Sequence, residues 1–111
     1  RALPRPAFTH VAPKSAEPGK PLVLVLSVGP PKDATTVRLH YRAVNQLAKF
    51  KTLEAPATRA SFVIPAEDLS ARWDLMYYFE VLNRERSGWF EPDPDRATPY
   101  YVVRVQAPKQ P

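Results

Sequence analysis

Fourteen prolines, spread from Pro4 to Pro111, constrain this chain of 111 residues more than any other feature. Proline lacks a backbone N–H and its ring clashes with the preceding helical turn, so it interrupts helix interiors and central strands alike. Long helices are therefore disfavoured. The chain has to be built from short strands, with its prolines at turns, edges and ends. Apolar residues make up 44% of the sequence, enough for one two-layer core in a chain of this length. The expectation is a single all-β domain over 7–107, between proline-rich linkers at 1–6 and 108–111.

The apolar pattern supplies the strands. Ala7–Val11 suits a first edge strand. The turn "EPGK" requires a positive φ at Gly19. "LVLVLSV", Leu22–Val28, is a continuous apolar run and predicts a buried central strand. "VRLHYRA" alternates, with Val37, Leu39 and Tyr41 on one face and Arg38, His40 and Arg42 on the other. "KFKTLEA" continues this way, with Phe50 and Leu53 expected as anchors, and "RASFVIP" predicts a strand stopped by Pro65. "LMYYFEVLN" places Tyr77, Phe79 and Val81 inward and Tyr78 and Glu80 outward. "YYVVRVQ" closes the series with Tyr101, Val103 and Val105 inward. Leu22, Leu24, Leu26, Phe62 and Ile64 complete the predicted core, and Leu75–Asn83 is the second central strand. Seven strands separated by turn signals predict an antiparallel two-sheet sandwich rather than an up-and-down barrel.

Several stretches together resemble the immunoglobulin-like or fibronectin type III-like modules of large secreted bacterial proteins. They are Pro18-Gly19 before an apolar strand, Tyr41-Arg42 ending one, Ile64-Pro65-Ala66, Tyr77-Tyr78 with Glu80, and Pro99 before Tyr100. The resemblance implies a seven-stranded antiparallel immunoglobulin-like β-sandwich. It also implies a secreted or cell-surface location and a non-catalytic accessory role beside a neighbouring domain such as a glycoside hydrolase. The chain departs from the pattern in its long last loop, "SGWFEPDPDRATP", and in Trp73 and Trp89, which add bulk to connecting segments.

The residues narrow the chemistry further. There is no cysteine, so disulfides, thiolate metal sites and cysteine nucleophiles are excluded. No glycine-rich phosphate loop and no pair of histidines at metal spacing occurs, and no cofactor or metal is expected. Glu91, Asp93 and Asp95 cluster, but Pro92 and Pro94 stiffen the turn between them, which suits neither a catalytic pair nor a calcium loop. His40 is expected to be an exposed strand histidine. No apolar run reaches the roughly 18 residues of a membrane span. The formal charge of +5 favours anionic partners in general, yet no basic run exceeds two residues, so nucleic acid is disfavoured.

Two sets of residues remain as candidates for recognition. Alternation projects Arg38, His40, Arg42, Tyr78, Glu80 and Arg104 from one sheet face, with Tyr100 beside them and Lys49 and Lys51 nearby. Glu80 is expected to pair with an arginine there. Trp73, Trp89 and Phe90 are loop aromatics that would stack on sugar rings if exposed and coplanar. The alternative reading for them is structural, with Trp73 plugging one end of the core and Trp89 or Phe90 covering the other. The two functions in view are an accessory role, as a spacer or as a docking surface for a neighbouring domain, and, as the alternative, polysaccharide binding through these aromatics.

Overall fold

The computed structural model describes residues 7–29, 34–45, 47–85, 88–93 and 98–106. The expected linkers at 1–6 and 108–111 lie outside the described residues, as do Arg86, Asp95 and Arg96. The strands are β1 (Phe8–Thr9), β2 (Ser15–Ala16), β3 (Leu22–Val28), β4 (Ala34–Ala43), β5 (Lys51–Pro56), β6 (Ala60–Ile64), β7 (Leu75–Asn83), β8 (Gly88–Glu91) and β9 (Tyr101–Val105). Two single 3₁₀ turns, Ala57–Arg59 and Ala66–Asp68, each follow a proline. The strands form two sheets in a sandwich-like arrangement. The smaller has the order β1-β3-β6; the larger has the order β2-β9-β7-β4-β5, with β8 also paired to β7.

The core lies where the inward phases of the two sheets meet. Leu24 and Leu26 of β3 and Phe62 and Ile64 of β6 face Val37, Leu39 and Tyr41 of β4, Tyr77, Phe79 and Val81 of β7, and Val103 and Val105 of β9. Leu22 and Tyr101, also predicted inward, are partly buried against this cluster. Leu75, Leu69, Ala60 and Ala16 join it as well. Gly19 takes the expected positive φ, +74°, and its N–H donates to the Leu69 carbonyl at 3.0 Å, tying the first turn under the core.

His10 bridges the sheets. A carbonyl only accepts, so Nδ1 carries the proton and donates to Val25 O of β3 at 2.7 Å; Nε2 then accepts the Tyr77 hydroxyl of β7 at 2.7 Å. The ring also meets Phe79 and Tyr101 edge-on, with centroids 4.9 Å away in each case.

Five expectations need correction. β3 is the middle strand of its sheet but is buried on one face only. Its leucines point in, while Val23 and Val25, with Val63 of β6, stand exposed because no further layer of described residues covers that side. The sandwich is not wholly antiparallel: two-residue β2 runs parallel to β9, pairing Ser15 with Arg104 and Ala16 with Val105. A two-residue strand has no period to read. The segment after β7 is not only a loop, since β8 pairs antiparallel with β7 from Phe79↔Glu91 to Leu82↔Gly88. Phe50 is not a core anchor. It precedes Lys51, the partner of Tyr41, and so falls on the outward phase, where it is exposed. Trp73 does not plug the core; it sits in a turn, 40% exposed.

Candidate functional site

The outward face of the larger sheet is built from β5, β4 and β7, whose registers align their polar positions, with β8 and β9 beside β7. Arg38 lies opposite both Glu54 of β5 and Glu80 of β7, and Glu80 lies opposite Phe90 of β8. His40 lies between Thr52 and Tyr78. Arg42 lies opposite Met76, which in turn pairs with Val102 of β9. A period of two thus converts five strand segments into one grid of side chains.

Electrostatics ties the upper rows together. Arg38 Nε donates to Glu54 Oε2 at 2.9 Å, and its Nη1 is 4.0 Å from Glu80 Oε1. His40 Nε2 is 2.9 Å from the same Glu80 oxygen, and Nδ1 is 2.9 Å from Thr52 Oγ1. An ionised carboxylate only accepts, so Nε2 carries the proton of a neutral His40 and Nδ1 accepts from the threonine hydroxyl. The pairing expected of Glu80 is present, with His40 the nearer partner. His40 is accordingly not the exposed strand histidine expected from sequence, because Glu80, Thr52 and Tyr78 enclose it.

Aromatic rings fill the rest. His40 stacks on Tyr78 with centroids 4.8 Å apart and planes 26° apart. Phe50 meets Tyr78 at 5.5 Å and 75°, and Phe90 meets it at 6.0 Å and 58°. Burial, aided by the nearby Glu80 charge, raises the Tyr78 phenol above its ordinary pKa, which keeps it a hydroxyl donor. Tyr78, Phe90, Pro92 and Pro99 line a shallow apolar depression of about 190 Å³. The Glu91–Pro92 peptide at its rim is cis.

The structure therefore brings together Arg38, His40, Arg42, Tyr78, Glu80 and Phe90. It leaves others apart. Arg104 points outward but pairs with Ser15, past the end of the grid, and makes no ion pair among the described residues. Tyr100 is exposed just before β9. Lys51 turns to the opposite side and donates to Asp68. The loop aromatics separate as well. Trp89 and Phe90 are adjacent in a strand and so face opposite ways; Trp89 packs on the core, and Phe90 is 39% exposed. Trp73 stands alone with the Arg72 guanidinium 5.9 Å from its ring centre. No coplanar platform of these three exists.

Sequence reasoning missed Phe50, Met76, Pro92 and Pro99. Phe50 was legible, because it shares the phase of Thr52 and Glu54 in "FKTLE". The prolines were not, because their place depends on β8 folding back along β7. Of the acidic turn, Glu91 accepts the Tyr101 hydroxyl at 2.8 Å and so braces β8 against β9. Among the described residues, no three histidine or carboxylate side chains gather as metal ligands, and no helix is long and apolar enough to cross a membrane. No protein-family model, curated protein or solved structure matches the chain.

Proposed function

We propose that the chain is a non-catalytic, immunoglobulin-like accessory module of a larger secreted or cell-surface bacterial protein, and that the outward face of its larger sheet docks against a neighbouring domain. The observation that carries this is the composition of that face. Phe50, Tyr78, Phe90, Met76, Arg38 and Arg42 are contiguous there, and aromatic, methionine and arginine side chains are the types enriched at protein interfaces. A pure spacer has no need of such a cluster.

Strand order supports the immunoglobulin-like part. With β1, β3 and β6 taken as strands A, B and E, and β4, β5, β7 and β9 as C, C′, F and G, the order within the sheets reads A-B-E and C′-C-F-G, with β2 beside G and β8 beside F as additions to it. The secreted, bacterial setting rests on the sequence resemblance alone.

Hydroxyl-radical footprinting of the module alone and within its parent protein tests the docking. Met76, Tyr78 and Phe90 are expected to lose most of their labelling in the parent, while Trp73 keeps its own. Equal labelling in both forms would leave only a spacer. Polysaccharide binding is the second reading, favoured by the Tyr78–Phe90–Pro92–Pro99 depression. The steep angles between the Tyr78, Phe50 and Phe90 planes weigh against it, since stacked sugars need flat, open faces.

A further inference from the structure

β4 leaves the larger sheet at Ala43 and the chain returns as β5 at Lys51. Beside this connection, next to the 3₁₀ turn Ala66–Asp68, lies a cleft of about 330 Å³. That size is at the small end of ligand sites, which run roughly 300–1,000 Å³.

The cleft walls carry Arg42, Lys49 and Lys51 against Glu67 and Asp68. Asp68 is already matched. Its Oδ2 accepts the Tyr41 hydroxyl at 2.7 Å and its Oδ1 accepts from Lys51. Burial alone would raise this carboxyl, but those two hydrogen bonds outweigh it and hold Asp68 below the ordinary carboxylate range. Arg42 is held differently, by groups that carry no charge. Its Nε donates to Met76 Sδ at 3.2 Å, its Nη1 donates to the Ala48 carbonyl at 3.3 Å, and its Cζ lies 4.9 Å from the Phe50 ring centre. Among the described residues no carboxylate pairs with Arg42 or with Lys49. A guanidinium fixed in place without a counter-ion is prepared for an anion, and its remaining N–H groups are free to bind one in a fork.

We propose that this cleft binds one acidic sugar unit, its carboxylate held by Arg42 and Lys49 and its hydroxyls held by Asp68 and Ser70. The mixed lining selects this class. A bare inorganic anion would engage the cations and leave the acceptors idle. A neutral sugar would engage the acceptors and leave Arg42 unmatched. Each Asp68 oxygen retains acceptor capacity beyond its present partner, which suits a sugar hydroxyl. The site lies beyond the docking face, although Arg42 borders both, and it does not depend on that reading.

The test is a titration of the isotope-labelled chain followed by amide chemical shifts. The probes are digalacturonate and glucuronate, the neutral galactose disaccharide, and inorganic sulfate. Saturable shifts at Ala43, Ala48, Lys49 and Ser70 are expected with the acidic sugars. Binding of the neutral sugar and of sulfate should be at least about tenfold weaker, the scale of losing a charged hydrogen bond. Arg42→Gln and the exposed Lys49→Ala should each weaken the acidic sugar several-fold while the rest of the spectrum stays folded. No saturable shift with either acidic sugar would overturn the proposal. So would sulfate binding as tightly as the sugars, or affinity unchanged in Lys49→Ala. Shifts centred on Tyr78 and Phe90 instead would overturn the cleft and support the second reading of the sheet face.

Discussion

His10 shows how much one side chain can decide. It is the only described histidine between the sheets, with one nitrogen on Val25 and the other on Tyr77. Burial lowers its pKa, against the opposing pull of the Val25 carbonyl bond and the Glu91 charge. In the unfolded chain the imidazole titrates near 6.5, so between that value and the lower folded one the unfolded state takes up a proton that the folded state refuses. The His10 contribution is complete above about 6.5 and fades as pH falls toward the folded-state pKa. Urea titrations from pH 8 down to pH 5 should show stability falling across this window, and His10→Gln should flatten that part of the curve. His10→Ala should also cost about 1–3 kcal/mol at pH 8, from the loss of two hydrogen bonds, the one to Tyr77 part-buried. Gly88 is decisive in another way. A Cβ there would lie 1.8 Å from the Val81 carbonyl oxygen, so Gly88→Ala must push β8 away from β7. A loss of about 1–3 kcal/mol in urea titration is expected, the range for overpacking.

At the scale of elements, β8 carries the most consequence. It turns a proline-rich insert into a strand whose two aromatics serve opposite faces, Trp89 for the core and Phe90 for the outward face of the larger sheet. Trp89→Ala should therefore destabilise by about 2–3 kcal/mol, somewhat below the full range for a core aromatic because Trp89 is only partly buried. Phe90→Ala should cost under about 1 kcal/mol, as expected for an exposed side chain. Paired urea titrations of the two variants check this, and equal losses would mean that the β8 register is wrong. The strands with strong period-two patterns, β4, β7 and β9, were legible in advance because each faces the core on one side and water on the other. β3 misled because valine outside and leucine inside look alike on a hydropathy reading. β2 and β8 were invisible because pairing to a distant strand, not local pattern, makes them strands.

For the whole molecule the expectation concerns activity. The described clusters of acids and histidines are tied into structural pairs: Glu91 to Tyr101, Asp68 to Tyr41 and Lys51, and Glu80 to His40 and Arg38. A catalytic acid or base needs a site that shifts its pKa toward the working pH and orients it on substrate. Asp68 is shifted the other way, held ionised by its partners. The isolated chain should show no turnover on a panel of polysaccharides and model esters. Activity that vanished in Asp68→Asn while the fold survived would refute this.

Alternation and proline spacing were enough, read along the chain, to determine the all-β class, the inward phase of the long strands and the turn at Gly19. These are local quantities, set by where one residue's side chain points relative to the next. Which side chains meet across strands was decided only in three dimensions. Phe50, Tyr78 and Phe90 are far apart in sequence and adjacent on the sheet because the registers of β5, β4, β7 and β8 align them. Arg42 likewise stands without a counter-ion among the described residues because the fold places Met76, Ala48 and Phe50 around it, and no reading of neighbours in the chain contains that arrangement.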